Sequence, residues 1–341
     1  MNPDNRLSQL NTWLGTLTCK WSLDLTTLQP ASSDASFRRY FRVLSNKNGS
    51  QASFIVMDAP PATEDTKPFI NISKLLADAK LNVPVVLEKD VDQGFLLLTD
   101  LGNQTYLSAL NQQTAPKLYQ DANDALIQMQ LASKPGLLPE YDKALLTREL
   151  ELFPDWYLGK HLKIQLDTKQ KDDLAKVFSL ILENNLSQSQ VIVHRDYHSR
   201  NLMVTDQNNP GILDFQDAVY GPITYDLASL YRDAYIEWEE PEQMDWLIRY
   251  WDKARKAGLP VQSEFGDFYR DYEWMGLQRH LKVLGIFARL YHRDGKDGYL
   301  KDIPLVFKYT RKVAERYIAL KPLVQLLDSI EGIQRPDGLT F

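Results

Sequence analysis

The chain has 341 residues, 44% of them hydrophobic and 25% charged, with a formal net charge of −6. This composition describes a globular protein large enough for two cores, and it excludes a low-complexity or fibrous chain. The acidic balance gives no electrostatic basis for a nucleic-acid partner, and no apolar run is long enough to suggest a membrane span. The lone cysteine, Cys19, rules out an internal disulfide framework and suits a reducing, cytoplasmic setting.

In chain order, residues 4–17 have the spacing of an amphipathic helix, with Leu7, Leu10, Trp13, Leu14 and Leu17 on one side. Strand-like sequence follows. Residues 23–28 precede the polar turn PASSDAS, FRRYFRVL alternates Phe37, Arg39, Phe41 and Val43 against Arg38, Tyr40, Arg42 and Leu44, and NKNGS leads into SFIVMDA, giving a three-stranded meander. Residues 69–80 predict a helix with Ile72, Leu75, Leu76 and Ala79 as its stripe, and VPVVLEKD and GFLLLTDLG are two more strands joined at DQG. After Gly102 the pattern turns helical, over 115–131, 143–160, 169–184, 225–235, 242–257, 264–291 and 305–319. The expectation is an α+β, protein-kinase-like bilobal fold. A β-rich N-terminal nucleotide-binding lobe spans 1–102, and a mainly helical C-terminal catalytic and acceptor-binding lobe spans 103–341.

One break in the helical half carries the chemistry. VIVHRDYHSRNLMV places Asn201 five residues after Asp196, and GILDFQD places Asp214 thirteen residues after Asn201. This is the H-R-D-x-x-x-x-N spacing of phosphoryl transfer, followed by a second acidic residue. Asp196 suits a catalytic carboxylate that accepts a hydrogen bond from the attacking hydroxyl. Asn201 and Asp214 are oxygen donors suited to a hard cation, Mg²⁺. Short apolar runs on either side of the turn QNNPG predict a hairpin that brings Asn201 and Asp214 to one end. His194 is expected to hold the loop by hydrogen bonds rather than react, and His198 likewise.

Several segments, namely SSDASFRRYFRV, VMDAPPATED, FINISKLLADAKLNVPVVL, GFLLLTDLG, HRDYHSRNLMV and LDFQDAVYGPITYDLASLYRD, resemble the aminoglycoside phosphotransferase/choline kinase superfamily. More narrowly, they resemble its anomeric kinases of N-acetylmuramate and N-acetylglucosamine. The resemblance spans nearly the whole chain. It implies a cytoplasmic enzyme of peptidoglycan recycling that uses ATP and Mg²⁺ to phosphorylate the C1 hydroxyl of a small amino sugar, with no obligate protein partner. It makes Asp196 the catalytic base and Asn201 and Asp214 the metal ligands. It places Ser32, Ser33, Asp34, Ala35 and Ser36 in the phosphate-covering loop, puts Thr99, Asp100 and Leu101 at an adenine-contacting hinge, and gives Asp226 the task of steadying the catalytic loop.

Two features depart from the wider kinase pattern. The phosphate loop has no glycine, and Met57 stands where the third strand of many kinases carries a phosphate-binding lysine. Arg38, Arg39 and Arg42 either supply that charge or decorate a solvent-facing strand. For the lactyl carboxylate of N-acetylmuramate, Arg200 and Arg232 are the candidate cations, with ion pairing as their alternative role. The competing functions are an aminoglycoside or other small-alcohol phosphotransferase of the same fold and a catalytically inactive kinase-like binding protein. The intact Asp196, Asn201 and Asp214 set argues against the latter.

Overall fold

The computed structural model describes residues 3–33, 37–47 and 50–333. The chain begins with α1 (Pro3–Trp21), β1 (Leu23–Ser33), β2 (Arg39–Lys47), β3 (Ser50–Asp58), α2 (Lys67–Asp78), β4 (Val86–Asp90), β5 (Phe95–Thr99) and α3 (Tyr106–Ala109). It continues through α4 (Ala115–Leu131), α5 (Lys143–Leu150), a π-helix (Phe153–His161), α6 (Thr168–Ser187), β6 (Gln190–Val193), β7 (Leu202–Met203), β8 (Gly211–Ile212) and β9 (Val219–Pro222). The remainder is α7 (Tyr225–Tyr231), α8 (Glu240–Lys256), α9 (Phe265–Asp294), α10 (Ile303–Arg316) and α11 (Lys321–Glu331). Among the described residues no helix is long and apolar enough to cross a membrane.

The chain divides into two compact units: Met1–Ala109 with Asn201–Asp217, and Leu110–Arg200 with Ala218–Phe341. This differs from a simple boundary at residue 102, because the hairpin of β7 and β8 groups with the first unit. Backbone hydrogen bonds give the reason: Ile212 N–H donates to Asn82 O and Val204 N–H to Gln104 O, each at 2.7 Å.

In the first unit an antiparallel sheet runs β1-β2-β3-β5-β4. Its inward face holds Phe41, Val43, Val56, Phe95 and Leu97, and α1 covers it with the fully buried Leu10 and Leu14. The period-2 alternation of the strands meets the 3.6-residue period of the helix there. Each buried leucine contributes roughly 2 kcal/mol of transfer free energy. Leu7, expected on that stripe, is instead 36% exposed. Register pairs Tyr40 with Met57 and Arg39 with Asp58. Gly94, in the β4–β5 turn, has φ +71°, and a Cβ there would fall 1.9 Å from Ala59 O. A side chain is excluded by conformation and by space together.

In the second unit α4 has the bounds expected from periodicity, and α6 opens with a reciprocal capping box between Asp167 and Gln170. The single helix expected over 143–160 is two pieces, α5 and the π-helix. Pro154, in the first turn of the π-helix, cannot donate a backbone hydrogen bond, and the helix closes with Leu162 N–H to Tyr157 O at 3.0 Å. Helix α7 stops at Tyr231 rather than 235, and α11 lies beyond the last helix that periodicity suggested. Residues 271–285 of α9 are buried without interruption, so this helix is a central strut rather than an amphipathic surface helix.

Candidate active site

In the second unit β6 pairs with β9, Val193 opposite Val219, and feeds the chain into His194, Arg195 and Asp196. Arg195 has φ +77°, a costly conformation for a non-glycine residue that persists only where its surroundings enforce it. Asp226, in the first turn of α7, is what enforces it. Its Oδ2 accepts the His194 N–H at 2.7 Å and its Oδ1 accepts the Arg195 N–H at 3.0 Å. His194 is fully buried, and its Nδ1 accepts the Asp196 N–H at 3.3 Å. Burial, aided by the negative charge of Asp196, pushes the Asp226 carboxyl up to about 7 against these backbone donors and the Arg279 guanidinium.

Beneath the loop lies a buried charge network. Glu149 of α5 pairs with the Arg195 guanidinium and with Lys282 Nζ at 3.1 Å, and it accepts the Tyr141 hydroxyl. Lys282 also donates to Tyr225 Oη at 3.0 Å. Burial alone would raise the Glu149 carboxyl, but Lys282 and Arg195 outweigh it and hold Glu149 below its ordinary value. Asp196 follows the same logic. Burial raises it, while Lys282, His198, Arg279 and His194 together keep it low and ionised. Its side chain keeps partial exposure. Asp196 is thus a good hydrogen-bond acceptor and a weak base.

In the first unit β7 and β8 pair Leu202 with Ile212 and Met203 with Gly211. That register brings Asn201 and Asp214 together as expected, with Asn201 Nδ2 donating to Asp214 Oδ2 at 3.3 Å. Asp214 Oδ1 accepts Gln216 Nε2 at 2.7 Å, so the residue standing in the glycine position of D-F-G orients the carboxylate. Asp214 has φ +62°, and the next residue, Phe215, is fully buried against Phe69 of α2, centroids 4.9 Å apart. Among the described residues no three His, Cys, Asp or Glu side chains converge on a metal position. The carboxylate–amide pair suits Mg²⁺, which takes one or two protein oxygens and keeps several waters.

The residues expected at the hinge lie at the end of β5. Thr99 is bound to Val85 through both backbone and side chain. Asp100 accepts Arg42 Nη2 at 3.0 Å and the Gly102 N–H at 2.9 Å. Burial would raise its carboxyl, but these bonds and one from Ser53 hold it low. Leu101 packs over Gly211, where a Cβ would fall 2.9 Å from its Cδ1. Of the phosphate-loop residues, Ser32 and Ser33 end β1, pairing with Tyr40 and Arg39, while Asp34, Ala35 and Ser36 lie outside the described residues.

The arginines of β2 and its approach are committed to ion pairs: Arg38 with Glu64 at 2.9 Å, Arg39 with Asp58, and Arg42 with Asp100. Met57 is fully buried. Of the two acceptor cations considered from sequence, Arg232 is 4% exposed and pairs with Glu273 at 2.9 Å, which is the ion-pairing role. Arg200 lies 3.6 Å over the Tyr235 ring. Sequence reasoning missed Glu149 and Lys282 as supports of the catalytic loop and gave Arg279 no role. A signal was present: LQRHLKV places two cations three residues apart inside an otherwise apolar helical stretch.

A model of the phosphotransferase enzyme family matches residues 27–264. The chain is 48% identical over 97% of its length to the N-acetylmuramate/N-acetylglucosamine kinase of Pseudomonas aeruginosa, covering 98% of that protein. It is 49% identical over 98% of its length to the protein of the same name from Neisseria meningitidis, covering 99% of it. Among solved structures, a choline/ethanolamine kinase family protein from Mesorhizobium loti aligns with TM-score 0.59 at 12% identity, over 89% of this chain and 92% of that one. An ADP-bound aminoglycoside phosphotransferase, APH(2'')-Ib, aligns with TM-score 0.55 at 16% identity, over 88% and 97%. The structural likenesses establish a protein-kinase-like fold, and the family model and near-full-length relatives place the chain in the phosphotransferase enzyme family.

Proposed function

We propose that this chain is an ATP-dependent kinase that phosphorylates the anomeric C1 hydroxyl of N-acetylmuramate and N-acetylglucosamine. The observation that carries this reading is the identity of nearly half over nearly full length with relatives of that name. An ATP donor is further supported by fold neighbours solved with ADP or ATP. The electrostatics of Asp196 are compatible with an anomeric acceptor. A hemiacetal hydroxyl is more acidic than an ordinary alcohol, so a carboxylate held low and ionised is basic enough to orient and partly deprotonate it. The acceptor oxygen bonds to the terminal phosphorus, the bond from that phosphorus to the ADP oxygen breaks, and the hydroxyl proton leaves toward Asp196 and solvent.

Asn201 and Asp214 are the residues that would hold Mg²⁺. When bound, that ion supplies neutralisation of phosphate charge. Arg42 and Gly102 commit the Asp100 side chain, so nucleotide recognition at Thr99, Asp100 and Leu101 falls to the backbone. Residues 32–36 serve as the phosphate cover. The setting is cytoplasmic recycling of peptidoglycan sugars, with a sugar 1-phosphate as product.

The test offers purified protein, ATP and Mg²⁺ in turn to N-acetylmuramate, N-acetylglucosamine, an aminoglycoside and choline, with phosphorus NMR of the products. Sugar 1-phosphates from the first two are expected. Phosphorylation of the aminoglycoside or choline alone would overturn the proposal.

A further inference from the structure

Buried polar groups in folded proteins are nearly always paired, and a buried arginine without a carboxylate is rarer still. Although Arg195 Nε and Arg232 Nη1 lack a hydrogen-bond partner, three other cations around the catalytic loop each have a carboxylate: the buried Arg232 has Glu273, and the half-buried Arg195 and the buried Lys282 share Glu149. Arg279, on the central helix α9, does not. It is 4% exposed, its Nη1 has no hydrogen-bond partner, and no such carboxylate pairs with it among the described residues. Two more buried groups, His198 Nδ1 and Ser199 Oγ on the catalytic loop, are likewise unpartnered. Arg279 lies one turn before Lys282 on α9, and Lys282 bonds Glu149, the partner of Arg195, so Arg279 belongs to the stretch of α9 near the catalytic loop; in keeping with this, its charge helps hold Asp196 low. The charges of Asp196 and Asp226 offset this cation only through space, and a ligand carboxylate would supply the direct partner that a buried guanidinium otherwise lacks.

We infer that Arg279 is a specificity residue whose unpaired guanidinium receives the lactyl carboxylate of N-acetylmuramate in the acceptor site beside Asp196. This rests on the proposed sugar-kinase reading. N-acetylglucosamine lacks the lactyl group, and water takes its place against Arg279. Of the two cations considered from sequence, Arg232 is committed to Glu273, and Arg200 stacks on Tyr235; the carboxylate falls to Arg279 on α9 instead.

The test compares kcat/KM for N-acetylmuramate with that for its neutral lactyl carboxamide, in the wild type and in Arg279→Met. A ratio cancels any general loss, including loss of the charge that Arg279 places near Asp196. The wild type should prefer the acid by roughly a hundredfold, and Arg279→Met should shrink that preference to within about threefold. Equal wild-type activity on the acid and the carboxamide, or a preference undiminished in Arg279→Met, overturns the assignment. Should Arg279→Met fail to fold by circular dichroism, Arg279→Lys carries the comparison. It keeps the charge but loses the planar fork, so a preference reduced about tenfold supports the assignment and an unaltered one overturns it. If wild-type protein phosphorylates neither amino sugar, the sugar-kinase reading itself falls, and that result is distinct from either of these.

Discussion

The hairpin that carries Asn201 and Asp214 and the loop that carries Asp196 are only five residues apart, yet different forces hold them in place. In the hairpin, one pair of short strands with two paired residue positions and a turn determine which side chains meet, and the geometry follows from register within a span of fourteen residues, 201–214. The loop depends on groups far away in sequence: Asp226 pins its backbone, and Glu149 and Lys282, on two different helices, pin its arginine and its electrostatics. Short-range register brings the proposed metal pair together with little help. A low, ionised carboxylate in a half-buried position needs a surrounding set of fixed charges.

Breaking each region should therefore fail in a different way. The largest effect is expected from the hairpin side chain itself. Asp214→Ala should lower kcat by roughly a thousandfold and flatten the Mg²⁺ dependence, with almost unchanged denaturant stability. Steady-state rates across a Mg²⁺ titration check this, and a retained Mg²⁺ requirement at full rate would remove Asp214 from the metal pair. Glu149→Gln should act through stability. It leaves Arg195 and Lys282 without their shared carboxylate and should cost about 3 kcal/mol in urea unfolding. By contrast, Lys74→Ala, which cuts the exposed Lys74–Asp78 pair, should cost under about 0.5 kcal/mol. Gly94→Ala should cost about 2 kcal/mol, from strain at positive φ and collision with Ala59. A melt indistinguishable from wild type would contradict that backbone approach.

A separate probe of the loop is pH. An unfolded Asp has a pKa of about 3.9, and in the folded protein Asp226 is raised to about 7. Between these values the folded state keeps a proton that the unfolded state has released. The Asp226 contribution is therefore fully present below pH of about 4 and declines as pH rises to about 7, with a slope of at most ~1.4 kcal/mol per pH unit. Asp226→Asn should lack this component, and unfolding curves at several pH values for both proteins measure the difference. Parallel pH profiles would mean that Asp226 is not raised.

The two regions also differ in how much of them could be read in advance. The hairpin, the helix over 115–131, the sheet strands and the joining of Asn201 with Asp214 were legible because each rests on local periodicity or turn chemistry. The division of 143–160 into α5 and a π-helix was not, because Pro154 is tolerated at a helix start and apolar periodicity runs through it. Arg232 and Arg279 show the harder limit. Both are arginines in helix-forming sequence, and only tertiary packing determines that one meets Glu273 and that the other meets no carboxylate among the described residues. Similarly, FRRYFRVL shows three arginines but not that each ends in its own ion pair.

The most direct test of Asp196 as the group that orients the acceptor is to measure kcat and the ATP dissociation constant side by side for wild type and Asp196→Ala. The expected result is a loss of at least about a thousandfold in kcat with N-acetylglucosamine, with the ATP dissociation constant within about threefold of wild type. A well-folded Asp196→Ala protein that turns over at the wild-type rate would contradict it.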